Sequence, residues 1–160
     1  MDDVKDVVIY TDGSSRGNPG PGGYGVVLLY GKEHKELSGG YRLTTNNRME
    51  ILAAILGLET LKSRCRVTIY TDSQLLCNSI NKGWAERWKE KGWMRNKRDK
   101  ALNPDLWDRL LGLCGKHDVT FTWVRGHAGN SGNERCDELA TSAAQQKDLP
   151  VDEFYESQSR

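Results

Sequence analysis

Residues 4–11 are dense in β-branched and aromatic side chains and stop at Asp12-Gly13, which predicts a strand running into a tight turn. Residues 14–25 carry Pro19 and Pro21 among five glycines and read as turn material. Residues 26–30 and 35–43 then predict two more strands across a turn at Gly31, giving an antiparallel meander. Thr44-Thr45-Asn46-Asn47 offers helix caps before a strongly apolar helix over 49–62. A fourth strand is predicted over 67–71, with a short helix over 73–81. A tryptophan-rich helical stretch is interrupted at Gly92, and Pro104 sits in the first turn of a helix through residue 113. Residues 119–124 predict a fifth strand, 126–132 a loop and 133–146 a last helix. Strands first, then helix–strand alternation, predict an α/β fold. It is a mixed five-stranded sheet, its first three strands antiparallel and its last two parallel to the first, with helices on both faces. Residues 1–146 form one domain in this reading, and the polar, acidic stretch 147–160 is expected to be a flexible tail.

Size and composition narrow the class. A chain of 160 residues with 28% charged and 37% hydrophobic residues matches one globular domain. Its longest apolar run, residues 51–58, is eight residues, against about 20 for a bilayer span, so no membrane association is expected. The opening Met1-Asp2-Asp3-Val4 lacks the basic start and apolar core of a signal peptide, and a cytoplasmic location is expected. Cys65, Cys77, Cys114 and Cys136 show no paired spacing, which points to free thiols rather than zinc or disulfides.

Net charge is only +1, but it is segregated. Residues 82–100 hold eight basic side chains against three acids, whereas 147–160 hold two against four. Such a basic stretch suits a polyanion.

A short echo marks the candidate chemistry: Ile9-Tyr10-Thr11-Asp12 and Ile69-Tyr70-Thr71-Asp72. If these strands are parallel neighbours, their ends lie about 4.8 Å apart and both aspartates reach one ion. Glu50 shares a helix face with Ala54, Gly57 and Leu61, small enough in part for close approach to the sheet. Asp137 repeats the pattern with Ala140, Thr141 and Ala144. Four converging carboxylates repel unless cations neutralise them, and an all-oxygen set favours Mg²⁺ or Mn²⁺. Taken singly, each acid is more often a cap, a turn residue or a solvated charge; the set of four carries the reading.

These residues lie in motifs that resemble the type 1 ribonucleases H of bacteria. The motifs are Thr11-Asp12-Gly13-Ser14, Gly17-Asn18-Pro19-Gly20, Thr44-Thr45-Asn46-Asn47-Arg48-Met49-Glu50, Thr71-Asp72-Ser73-Gln74 and Trp123-Val124-Arg125-Gly126-His127-Ala128-Gly129 through Asp137. They keep their order and spacing from about Val7 to Ala144. The resemblance implies an endonuclease that cuts the RNA strand of RNA–DNA hybrids and leaves 5′-phosphate and 3′-hydroxyl ends. It implies Asp12, Glu50, Asp72 and Asp137 as ligands of two Mg²⁺ ions, replaceable by Mn²⁺, with His127 assisting proton transfer or product release. Further, it implies RNA contacts from Glu50, from the main chain near Gly13 and Ser15, and from Asn18, Asn46, Asn47 and Gln74. Thr45 and Asn103 match a DNA-phosphate pocket, and Trp84, Lys89 and Lys91 a basic protrusion that also holds Trp88, Trp93 and Arg95. Each has a plainer reading: Asn46 or Asn47 as helix cap, Asn18 as turn residue, Trp88 as core. One departure is Ser15, where some relatives have cysteine. A monomer is expected.

Three rival readings fit the sequence less well. Gly20 to Gly25 satisfies GxGxxG, but it runs into a strand instead of opening a helix, so a dinucleotide site is rejected. A polynucleotidyl transferase core shares the fold and acidic chemistry, yet such enzymes carry additional DNA-binding domains. A non-catalytic hybrid-binding module fits poorly with an intact Asp12 and Asp72.

Overall fold

The computed structural model describes residues 4–125 and 130–158. Strands β1 (Lys5–Ser15), β2 (Gly20–Tyr30) and β3 (Glu33–Thr44) form the meander. Then follow α1 (Asn46–Glu59), β4 (Cys65–Thr71), α2 (Gln74–Asn81), α3 (Trp84–Glu90), α4 (Pro104–Lys116), β5 (Asp118–Trp123), α5 (Ser131–Ala144) and α6 (Glu153–Gln158). The sheet order is β3-β2-β1-β4-β5. β1 pairs antiparallel with β2 and parallel with β4, in the register Ile9↔Ile69 and Tyr10↔Tyr70, and β5 is parallel to β4. The predicted architecture is therefore the observed one, and the echoed tetrapeptides lie side by side.

Within 14–25 only residues 16–19 are turn. β1 and β2 continue through the rest in the register Asp12↔Gly25 and Ser15↔Gly22, leaving a tight connection closed by Arg16 N–H donating to the Pro21 carbonyl at 2.8 Å. The glycines serve close packing: a Cβ at Gly23 would stand 2.2 Å from the Ala140 carbonyl, and one at Gly25 2.2 Å from that of Cys136. Helix α5 lies directly on the β2 backbone there, a use of strand glycine that composition does not separate from a turn.

Helix α1 covers the opposite face. Gly57 meets Ile9 and Val26 at 3.1 and 3.2 Å from an added Cβ, as the small-residue face predicts. Ten of its residues are buried, because it is enclosed between the sheet and α4. It begins three residues before the predicted start, with the Thr45 hydroxyl accepting from Arg48 N–H at 3.2 Å, so Thr45, not Asn46 or Asn47, is the cap. The core joins Ile9, Val26, Ile55, Leu58, Ile69 and Trp107. All four cysteines are free thiols, three of them buried.

The carboxyl-terminal stretch expected to be flexible instead packs back on the domain. Arg48 is buried, and its guanidinium donates to both carboxylate oxygens of Asp152 at 2.8 and 3.1 Å and of Asp105 at 2.9 and 2.7 Å. Asp152 also accepts from the Thr44 hydroxyl, and Glu156 of α6 pairs with Arg42. A buried guanidinium needs counter-charges, and Asp105 and Asp152, more than fifty residues away in sequence, supply them. Asp152→Asn leaves Arg48 half-paired and is expected to lower unfolding stability by about 2–3 kcal/mol, below the full loss of a buried ion pair because Asp105 remains. Urea denaturation followed by circular dichroism measures it.

Candidate active site

The acidic site forms where the carboxyl ends of β1 and β4 emerge side by side. Asp12 and Asp72 leave these strands on the α5 face, and Asp137 of α5 and Glu50 of α1 join them around one open cleft of about 520 Å³. Glu50 reaches across from the other face of the sheet because Gly13 has no side chain: a Cβ there would lie 2.4 Å from the Glu50 nitrogen. In return Gly13 N–H donates to Glu50 Oε1 at 2.8 Å and to Asp12 Oδ1 at 2.9 Å.

Asp12, Glu50 and Asp72 each offer an oxygen within 4.8 Å of the others. Asp12 and Glu50 are buried, and Asp72 and Asp137 are half-buried. Asp137 lines the same cleft without joining this tightest group. Burial first, then the neighbouring Asp12, holds the Glu50 carboxyl well above the ordinary carboxylate range. Asp12 is pushed up to about 6, mainly by burial and further by Asp72 and Asp137, with Glu50 and Gly13 N–H working the other way. Acids that resist ionisation together, with no sulfur or nitrogen donor among them, fit a hard divalent cation that restores the missing positive charge.

Gly13, Ser15, Asn46, Asn47 and Gln74 line the cleft with the carboxylates. Asn18 does not; its side-chain oxygen accepts from Asn46 N–H at 3.1 Å and braces that rim. His127 lies outside the described residues. Asn47 also lines a second recess of about 350 Å³, with Trp84, Trp88, Leu102 and Asn103. Asn103, at φ 60°, accepts from Arg48 Nη1 at 3.2 Å, which ties it to the buried ion-pair network. Sequence reading assigned Arg48 no role; its signal would have been a cation within an otherwise apolar helical run.

The basic segment divides. Arg87, Lys91 and Arg95 line a recess of about 280 Å³ with Trp84 and Trp88. Lys89 points elsewhere and pairs with Asp108 of α4 at 2.7 Å. Trp88 is half-buried, edge-on to Trp107 at 6.1 Å, so it serves both the core and the recess.

A mixed five-stranded sheet with carboxylates gathered at the ends of its central parallel strands defines the ribonuclease H-like class of nucleic-acid enzymes. The RNase H family model matches residues 4–145. A ribonuclease H of Syntrophus aciditrophicus is 71% identical over 154 residues, covering 96% of this chain and 89% of that protein. A ribonuclease HI of Synechocystis is 55% identical over 150 residues, covering 93% and 94%. Among solved structures, LC9-RNase H1, a type 1 RNase H with the type 2 active-site motif, superposes with a TM-score of 0.80 at 29% identity, covering 100% of this chain and 83% of that one. LC11-RNase H1, solved in complex with RNA/DNA hybrid, gives 0.67 at 26% identity, covering 86% and 96%. The chain belongs to the RNase H family, in its bacterial type 1 branch, whose members are endoribonucleases of the phosphodiester-hydrolase class.

The raised Asp12 pKa has a consequence for stability. An acid whose folded pKa exceeds its unfolded value of 3.8 holds its proton longer when folded, so without cations stability falls as pH rises from about 4 to about 6. Asp12→Asn removes that penalty. In chelator at pH 7 the variant is expected to be more stable than the parent by up to about 3 kcal/mol, at about 1.4 kcal/mol per unit. The difference should vanish near pH 3.5, and thermal unfolding across this range checks it.

Proposed function

We propose that the chain hydrolyses the RNA strand of RNA–DNA hybrids by two-metal-ion catalysis, leaving 5′-phosphate and 3′-hydroxyl ends. The observation that carries this reading is the group Asp12, Glu50 and Asp72, whose oxygens lie within 4.8 Å at the ends of adjacent strands. Asp137, in the same cleft, completes the ligand set for two Mg²⁺ ions bound with substrate, for which Mn²⁺ substitutes. Bound cations supply activation of the attacking water and stabilisation of the departing 3′ oxygen.

The protein's own groups hold and orient the hybrid. Gly13 N–H fixes one oxygen of Glu50, and the edge of the carboxylate that faces the cleft takes the RNA 2′-hydroxyl. The main chain at Gly13 and Ser15 and the amides of Asn46, Asn47 and Gln74 offer donors and acceptors to sugars and base edges along the cleft. Thr45 and Asn103 take a DNA phosphate, and Trp84 with Lys91 takes the DNA backbone beyond it. His127 assists proton transfer or product release. The protein acts as a monomer in the cytoplasm.

The reading is tested with one labelled RNA strand, offered alone, paired with RNA and paired with DNA, in Mg²⁺ or in chelator. Cleavage is expected only in the hybrid and only with metal; hybrid binding without cleavage would favour a non-catalytic module. Asp12→Asn is expected to fold and to lose cleavage by several orders of magnitude.

Lys89, held toward Asp108 and away from the recess, is expected to matter less than Lys91 and Arg95, which line it even though Arg95 also makes a longer pair with Asp99 at 3.4 Å. The double variant Lys91→Gln, Arg95→Gln should raise KM several-fold with little change in kcat, and should reduce the salt slope of hybrid binding by up to about two. Lys89→Gln should shift that slope by less than one. Fluorescence anisotropy with a labelled hybrid at several salt concentrations separates them.

A further inference from the structure

The two echoed strand ends each carry a buried threonine beneath the carboxylates, and the two behave differently. Thr11 and Thr71 are both 0% exposed and occupy equivalent places on adjacent parallel strands. The Thr11 hydroxyl has no hydrogen-bond partner among the described residues. The Thr71 hydroxyl stands 3.4 Å from Glu50 Oε2, and it accepts from Ser73 N–H at 3.1 Å. Accepting from Ser73 N–H uses a lone pair of the hydroxyl oxygen, so the Thr71 proton remains available to donate to Glu50 Oε2.

We infer that Thr71 is the positioning residue of the acidic site, holding Glu50 and the Asp72 backbone in register with one another. Glu50 reaches the cleft from a helix on the α1 face, whereas Asp72 comes from the end of β4, so the two share no local constraint. Gly13 N–H grips one Glu50 oxygen from β1, and the Thr71 hydroxyl approaches the other from β4. The same hydroxyl closes a turn around Asp72 through Ser73 N–H, while Trp123 Nε1–H donates to the Asp72 carbonyl at 3.1 Å and Val124 N–H to the Thr71 carbonyl at 2.9 Å. One hydroxyl therefore joins the helix-borne ligand to the strand-borne one. Its contact to Glu50 is long, as hydrogen bonds of a catalytic site are before substrate arrives.

The inference rests on the carboxylates binding divalent cations, and the test separates the two. Thr71→Val keeps shape and strand preference but removes the hydroxyl. Thr71→Ser keeps the hydroxyl without the methyl, and Thr71→Ala loses both. Thr11→Val makes the same chemical change one strand away, at a hydroxyl with no partner among the described residues, and serves as the control. The readouts are Mn²⁺ titration calorimetry on the protein alone, thermal unfolding in chelator, and kcat and KM on a labelled hybrid.

Loss of a group that orients a metal ligand weakens metal binding or activity by about 10–100-fold. Thr71→Val and Thr71→Ala are expected to fall in that range in Mn²⁺ affinity and in kcat with KM nearly unchanged. Thr71→Ser should stay within about threefold of the parent, and Thr11→Val should match it. The Ser–Ala comparison isolates the hydroxyl even if Thr71→Val folds poorly. Parent-like affinity and kcat in Thr71→Ala, or an equal loss in Thr11→Val, would overturn the positioning role. A parent protein that binds no Mn²⁺ and cuts no hybrid would instead overturn the functional reading on which it rests.

Discussion

The repulsion between acids gathered at two adjacent strand ends is the constraint around which the rest of the molecule is built. Asp12, Glu50 and Asp72 each offer an oxygen within 4.8 Å of the others, two of the residues are buried, and burial pushes the Asp12 and Glu50 carboxyls above the ordinary carboxylate range. No isolated element would adopt this arrangement. It persists because the parallel pairing of β1 with β4 fixes the two aspartates, and because close packing on both faces of the sheet brings the helices in behind them. The strain is useful: a divalent cation is the simplest relief, so the site is preorganised for the ion its chemistry needs.

Glycine makes that packing possible. Gly23 and Gly25 let α5 rest on the β2 backbone and carry Asp137 toward the cleft, and Gly13 lets the start of α1 carry Glu50 in from the other side. The acidic site thus draws on both faces of one sheet, and the groups that reach its far rim extend it toward the basic segment. A second charged system stands behind this rim. Arg48 links Thr44 and α1, through Asp105 and Asp152, to α4 and the carboxyl-terminal segment, and it also touches Asn103. That guanidinium thus joins the ion pairs that hold the domain together to Asn103 at the edge of the second recess.

The basic segment shows why charge counted along a chain overstates a binding surface. Lys89 leans toward Asp108 of α4, whereas Lys91 and Arg95, the latter also paired with Asp99, share a recess with Trp84 and Trp88. Helical phase, and the neighbour each side of α3 meets, decide which cations face the groove.

By itself the sequence determined the strand and helix order as far as α5, the parallel placement of the echoed Ile-Tyr-Thr-Asp strands, and the four acids that the fold brings to one cleft. Those features are written locally, in periodicity, caps and acids at strand ends, and the motif spacing carried the family. Tertiary structure decided what depends on neighbours distant in the chain. Gly23 and Gly25 became strand with α5 lying against them, and residues 147–158 became part of the domain because Arg48 needed Asp152. Lys89 turned away because Asp108 stood opposite, and of two equivalent threonines only Thr71 found Glu50. Burial and pairing are properties of what a residue meets, and only the folded chain brings those groups together.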